Sequence, residues 1–264
     1  MLKFIVLSDL HLVDEGETSQ GMDTYRRLEE AVAWINTRHA DADFCVFAGD
    51  LADIGFKGAV RPYERLKSAI GQLAVPAHVT IGNHDSRATF ADVFGAETQA
   101  ETGCIDKVVD AGGYRVILLD SVGEAEEHSH GGQLSQAQLD WLRRRLDEHA
   151  GPVVVVLHHH ANPLHVKVDR IILENGEAFA QVLKTHDDVR QIIAGHVHFT
   201  SCGLWHGLPF TTLAGNHYSV TVPLDAEARP DRLWGPGQMA IVLGNEDQTL
   251  VHFDNFLDGN TVLA

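Results

Sequence analysis

Short apolar runs recur along the chain, and nearly every one is followed by a carboxylate, an amide or an imidazole. Lys3–Leu7 reads as a strand buried on both faces, because its apolar residues do not alternate with polar ones. Leu28, Ala31, Val32 and Ile35 then fall on one helical stripe. Phe44–Phe47 and Ala77–Ile81 are the next predicted strands, with a helix around Tyr63–Leu73 between them. Tyr114–Leu119 and Val153–Leu157 are further strands. Between those two, Leu139, Leu142 and Leu146 share a helix face, and Ser135 with Gln138 has capping-box spacing. Glu177–Leu183 is predicted helical and Gln191–Ile193 a strand. Met239–Leu243 and Leu250–Phe253, separated by Gly244-Asn245-Glu246-Asp247, predict a β-hairpin over residues 238–254.

Strand alternating with helix is the layout of βαβ units, so the predicted class is α/β. Ala161–Gly176 and Gly215–Gly237 match neither period, and long loops of that kind are often lids or binding loops. There is no internal repeat, and one domain spanning 1–264 is expected.

Composition narrows the picture. At 264 residues and 44% hydrophobic content the chain has material for one substantial core. Its 20 lysines and arginines against 37 acidic residues give a net charge of −17. An acidic surface repels polyanions, which argues against a nucleic-acid polymer as partner and favours small substrates. Cys45, Cys104 and Cys202 form no CxxC pair, and Cys45 inside an apolar run reads as a small hydrophobe. A reducing cytoplasm is therefore the expected location. The apolar stretch before Asp9 is short for a signal segment, and no segment approaches the roughly 20 apolar residues of a membrane span, so no membrane partner is expected.

The polar groups after the strands carry the chemistry. Asp9 and His11 are separated by one residue, and period-two alternation at a strand end sends both side chains the same way. Asp50 follows Gly49, which permits a tight turn. Asn83 follows Gly82 and offers a neutral amide oxygen; His158 ends Val153–Leu157; His196 and His198 repeat the spacing of Asp9 and His11. Singly, each has an ordinary reading as a turn or a partly buried polar run. Five such clusters, each after a strand, point together to metal-assisted hydrolysis at the carboxyl ends of strands.

The series D-x-H, G-D-x-x-D, G-N-H-D, H and G-H-x-H from Asp9 to His198 resembles the calcineurin-like metallophosphoesterases. Gly132–Leu142, the His158-His159 pair and Leu173-Glu174-Asn175-Gly176 are similar to the bacterial branch that cleaves cyclic nucleotides or glycerophosphodiesters. The resemblance implies a four-layer α-β-β-α sandwich of two mixed β-sheets flanked by helices. It also implies two metal ions, one held by Asp9, His11, Asp50 and His198, the other by Asp50, Asn83, His158 and His196, with Asp50 shared. His158 is preferred to His159 because it directly ends the strand. By the same resemblance His84 faces the substrate, with Asp85 orienting its imidazole, and a small phosphodiester is attacked in line by hydroxide from a metal-held water. His159 and His217, the latter beside Tyr218, are candidate substrate contacts. Iron and manganese are the expected ions, with zinc or cobalt as alternatives, since the donors are oxygen and imidazole without thiolate. A homodimer or higher homo-oligomer is expected.

Two departures restrict the branch. Asp53 stands where purple acid phosphatases carry a tyrosine ligand, and Ile54-Gly55 and Asp85 differ from the protein Ser/Thr phosphatase pattern. The competing readings are a phosphomonoesterase or nucleotidase of the same superfamily and a catalytically inactive scaffold. The scaffold reading predicts gaps in the ligand series, and there are none. The choice among cyclic nucleotides and glycerophosphodiesters is assigned to Ala161–Gly176 and Gly215–Gly237.

Overall fold

Alternate side chains of each central strand point to opposite faces, and here both faces are apolar, so every such strand is covered twice. The computed structural model describes residues 1–123, 130–225 and 228–257. Its first sheet runs, edge to edge, through β13 (Thr249–Leu257), β12 (Gly237–Gly244), β1 (Leu2–Leu7), β2 (Phe44–Ala48) and β3 (Ala77–Thr80). The second runs through β4 (Lys107–Ala111), β5 (Tyr114–Leu119), β6 (Val153–Leu157), β7 (Val189–Ala194), β9 (Leu208–Thr212) and β8 (Cys202–Trp205). β1, β2 and β3 are mutually parallel, as are β5, β6, β7 and β9, while β12, β4 and β8 pair antiparallel, so both sheets are mixed.

The sheets pack face to face. Leu2, Phe4 and Val6 of β1 and Phe44, Val46 and Ala48 of β2 share one apolar layer with Val116, Leu118, Val154, Val156 and Ile193. The other face of β1, Ile5 and Leu7, meets Leu28, Val32 and Ile35 of α1 (Thr24–Arg38), with Tyr63 and Leu66 of α2 (Arg61–Ile70) in the same layer. Across the molecule, Ile117, Leu119, Val155 and Leu157 meet Leu139, Leu142 and Leu146 of α4 (Gln136–Asp147) and Phe179 and Leu183 of α5 (Gly176–Leu183). The order helix, sheet, sheet, helix is the four-layer sandwich expected. No helix among the described residues is long and apolar enough to cross a membrane.

The capping box at Ser135 is present, and the carboxyl-terminal hairpin joins the central sheet, with Ile5 opposite Ile241 in register. Several elements have no counterpart in the sequence reading. α3 (Arg87–Phe94) is short and starts from Ser86, whose hydroxyl accepts the Thr89 N–H. β4 and β8 are edge strands with partly or largely exposed side chains, so they lack a continuous apolar run. Within the two unassigned stretches lie a 3₁₀ turn at Lys167–Ile171 and a two-stranded ribbon of β10 (Ser219–Val220) and β11 (Arg232–Leu233).

Phe4 is fully buried between the sheets and stacks on Phe44 with ring centroids 4.9 Å apart. Phe4→Ala is expected to lower unfolding free energy by about 3–5 kcal/mol in chemical denaturation followed by circular dichroism. A loss under about 1 kcal/mol, the scale of a surface change, would contradict this packing.

Candidate metal centre

Beyond Leu7 and Ala48 the ladder of β1 and β2 gives way to two turns that stay together. The N–H groups of Asp9, His11 and Leu12 donate to the carbonyls of Gly49, Asp50 and Leu51 at 3.0, 2.9 and 2.9 Å. Asp9 and His11 are not on pleated strand: their φ values are 53° and 45°. Among the described residues, five of the eight non-glycine residues with left-handed φ are Asp9, His11, Asp50, His196 and His198. The expectation that strand alternation aims these side chains is therefore corrected. Left-handed turns aim them, a conformation that non-glycine residues adopt only when the surroundings impose it.

These turns converge on one buried point. Asp9, His11 and His198 place donor atoms within 4.8 Å of one another, and so do Asp50, His158 and His196. Asp50 lies between the two groups, with Oδ2 3.5 Å from His11 Nε2 and Oδ1 3.2 Å from His158 Nε2. Asn83 Oδ1 is 3.2 Å from the same His158 nitrogen. The glycines allow this crowding. A Cβ on Gly49, at φ +83°, would lie 2.6 Å from the His158 ring, and one on Gly82 would lie 2.4 Å from Asp50 Oδ1.

Backbone carbonyls set the ring orientations. His158 Nδ1 lies 3.0 Å from the Ala48 carbonyl and His198 Nδ1 2.7 Å from that of Tyr218, so each N–H is donated there and each Nε2 lone pair turns inward. His11 Nδ1 is 3.0 Å from Asp53 Oδ1. The Nε2 atoms of His11 and His196 are buried and have no hydrogen-bond partner among the described residues. Buried polar atoms without partners are costly; His11 Nε2, 3.5 Å from Asp50 Oδ2, fits a cation between them, and His196 brings Nδ1 to 3.3 Å from His158 Nε2.

Electrostatics agree. Burial opposes charge on Asp50, yet the His158, His84 and His11 rings outweigh it and hold the carboxyl well below its ordinary range. Burial likewise works against a charged His158, but the adjacent Asp50 carboxylate lifts it to about 9. Burial, followed by the neighbouring imidazoles, keeps His196 well below the ordinary histidine value. Burial also lowers His198, where the Asp9 carboxylate opposes the shift. Ionised carboxylate and neutral imidazole are the forms that bind metal, so Asp50, His196 and His198 are in ligating form, whereas a cation would have to displace the proton that Asp50 holds on His158.

The centre opens into a cavity of about 750 Å³. Its wall includes His84, His130, Tyr218 and Arg232, and both of the stretches the sequence left unassigned contribute to it.

A model of the calcineurin-like phosphoesterases matches residues 2–199. The chain belongs to that family. It is 31% identical over 97% of its length, and 93% of the relative's, to a protein of Rhodopseudomonas palustris named a probable cyclic nucleotide phosphodiesterase. It is 26% identical, over 96% of this chain and 92% of the other, to one of Arcobacter nitrofigilis named a probable glycerophosphodiester phosphodiesterase. A dimetal phosphatase of Danio rerio superposes with a TM-score of 0.68 over 95% of this chain and 98% of that one, at 19% identity, a likeness of fold alone.

Within this phosphoesterase three expected roles change. Asp85 does not touch the His84 ring. Its carboxylate accepts the N–H groups of Leu51 at 3.1 Å, Ala52 at 3.0 Å and Gly82 at 2.8 Å, and the Tyr63 hydroxyl at 3.0 Å. Burial first, and the nearby Asp50 charge second, raise it to about 6. It is Asp53 that orients His84, its carbonyl lying 2.6 Å from His84 Nδ1, so Asp53 holds both His11 and His84. The second aspartate of G-D-x-x-D was in view in the sequence, but its two partners are distant along the chain. His159 is fully buried, between the Ser121 hydroxyl at 2.8 Å and the His130 carbonyl at 3.1 Å. His217 is buried with Nε2 3.1 Å from the Ser19 carbonyl. Neither is among the described residues lining the cavity, whereas Tyr218 is.

Asp85→Ala leaves three backbone N–H groups without their acceptor, and each buried unmet group costs about 1–3 kcal/mol. The variant is expected to lose thermal stability in the metal-free state as well as the metal-loaded one. An unchanged metal-free melting temperature would refute this structural role.

Proposed function

We propose that the chain is a two-metal phosphodiesterase of small diesters, and of cyclic nucleotides in particular. What carries the reading is the Asp50 carboxylate, one oxygen toward His11 and the other toward His158, as a ligand shared by two ions requires. One ion would be held by Asp9, His11, Asp50 and His198, the other by Asp50, Asn83, His158 and His196. The all oxygen and imidazole donor set suits iron, manganese, zinc or cobalt. When bound, such ions supply Lewis acidity toward phosphate oxygens and acidify water.

The remaining work falls to the chain's own groups. With its Nδ1–H donated to the Asp53 carbonyl, His84 presents Nε2 to the cavity, where a protonated ring hands its proton to the departing oxygen. Lys167, Arg229 and Arg232 in the cavity wall draw in an anion. Val168, Ile171, Val197, Phe199 and Val220 add an apolar wall. That wall favours a diester with a nucleobase over one with glycerol. The names of the two relatives above span the same two substrate classes. A panel of 3′,5′- and 2′,3′-cyclic nucleotides, glycerophosphodiesters and monoesters with manganese, iron, cobalt and zinc tests the reading. Turnover of monoesters alone would refute it.

Two outcomes are expected. Manganese or zinc added to chelator-treated protein raises the melting temperature of the native chain but not of Asp50→Ala, because ligand binding to the folded state stabilises it by mass action. Calorimetry reads both, and equal shifts would remove Asp50 from the ligand set. His84→Ala keeps its metal content but loses about 10²–10⁴-fold in turnover of diesters with alkoxide leaving groups, and less with p-nitrophenolate. Metal loss in that variant would instead make His84 a ligand.

A further inference from the structure

His160, the third of the three consecutive histidines, is fully buried and belongs to none of the three clusters of candidate donors among the described residues. Its Nε2 is 3.2 Å from Asp169 Oδ1. The same carboxylate accepts the N–H of Leu164 at 3.0 and 3.1 Å, of His165 at 2.8 Å and of Val166 at 3.4 Å. The His160 carbonyl takes the Leu173 N–H at 3.0 Å, closing the far end of the segment onto the end of β6. One buried ring and one carboxylate thus gather a stretch that has no strand or α-helix of its own.

What the stretch carries is one side of the apolar wall. Val166, Val197 and Phe199, with Leu164, Val168 and Val220 against them, form a small hydrophobic cluster apart from the apolar cores of the four-layer sandwich. Val166, Val168 and Ile171 face the cavity that holds His84. Besides the short 3₁₀ turn at Lys167–Ile171 and the backbone bonds of Ile172 and Glu174 to Gly132, the Asp169 carboxylate is what gathers the backbone of Leu164, His165 and Val166 beneath these side chains.

We propose that Asp169, seated on His160, is a positioning residue that sets the apolar wall against the substrate's organic group and so determines affinity for diesters bearing an aromatic substituent. The proposal rests on the phosphodiesterase reading above for its kinetic consequence, but not for its structural one.

The test uses the full-length, metal-loaded protein with bis(p-nitrophenyl) phosphate and methyl p-nitrophenyl phosphate, which share a leaving group and differ only in the retained substituent. Asp169→Ala is expected to raise KM for the diaryl ester roughly tenfold, the scale of a lost apolar contact in a pocket, with little change for the methyl ester. Metal content and kcat stay unchanged for both. Asp169→Asn, which keeps one carbonyl acceptor, recovers part of the loss, and Val168→Ala raises the same KM without touching the carboxylate. Trypsin cuts at Lys167 and Arg170 faster in Asp169→Ala than in the native chain. A parallel rise in KM for both esters, a fall in kcat for both, or no change in either would overturn the proposal. If Asp169→Ala does not fold, an unchanged diaryl KM in Val168→Ala overturns it. If the native protein turns over neither ester, the phosphodiesterase reading fails, and unchanged cleavage at Lys167 and Arg170 then overturns the positioning role separately.

Discussion

A carboxylate taken out of water must be compensated, and in this molecule the Asp50 carboxylate imposes that requirement on most of what surrounds it. It is almost fully buried, and four other parts of the chain meet it: the turns carrying His11, His84, His158 and, one step further, His196. Those turns follow strands of two different sheets. The face-to-face packing of the sheets is therefore a condition of the site as well as of stability, because only that packing brings the end of β6 against the ends of β1 and β2. A buried cluster of this kind is weak as a source of stability unless a cation completes it.

The second condition is room. Gly49 and Gly82 have no side chain where His158 and Asp50 need the volume, and left-handed turns at Asp9, His11, Asp50, His196 and His198 aim the donors inward. A left-handed turn is unfavourable for residues with a Cβ, so the hydrogen bonds between the two turns after β1 and β2 must hold it. Asp85, which caps the Leu51, Ala52 and Gly82 N–H groups, contributes to the same purpose. The division of labour follows from this. Asp85 fixes the shape of the loops, Asp53 fixes the direction of two rings, and the groups left over face the cavity.

Selectivity belongs to a different part of the molecule. The strand ends supply donors of fixed type, and nothing in them measures the organic part of a diester. In the proposed reading that part faces Val168, Phe199, Tyr218 and Arg232, which come from segments outside the two large sheets, tethered by local contacts such as Asp169 on His160 and Arg232 over the Tyr218 ring. A rigid sandwich with separately tethered loops lets one hydrolytic centre serve differently shaped substrates.

Most of the architecture was legible from the chain alone, because a strand buried on both faces writes itself as an unbroken apolar run. Val153–Leu157 and Tyr114–Leu119 were read with the limits they have, whereas the exposed edges β4 and β8 leave no such mark. The residue types at the strand ends were equally legible, since metal chemistry restricts donors to a few side chains. Their partners were not. That Asp53 rather than Asp85 holds His84, that His159 turns to Ser121, and that His160 meets Asp169 depend on which backbone groups lie nearest after two sheets have packed. Hydrogen-bond partners far apart along the chain leave no period in it, so only the tertiary structure decides them.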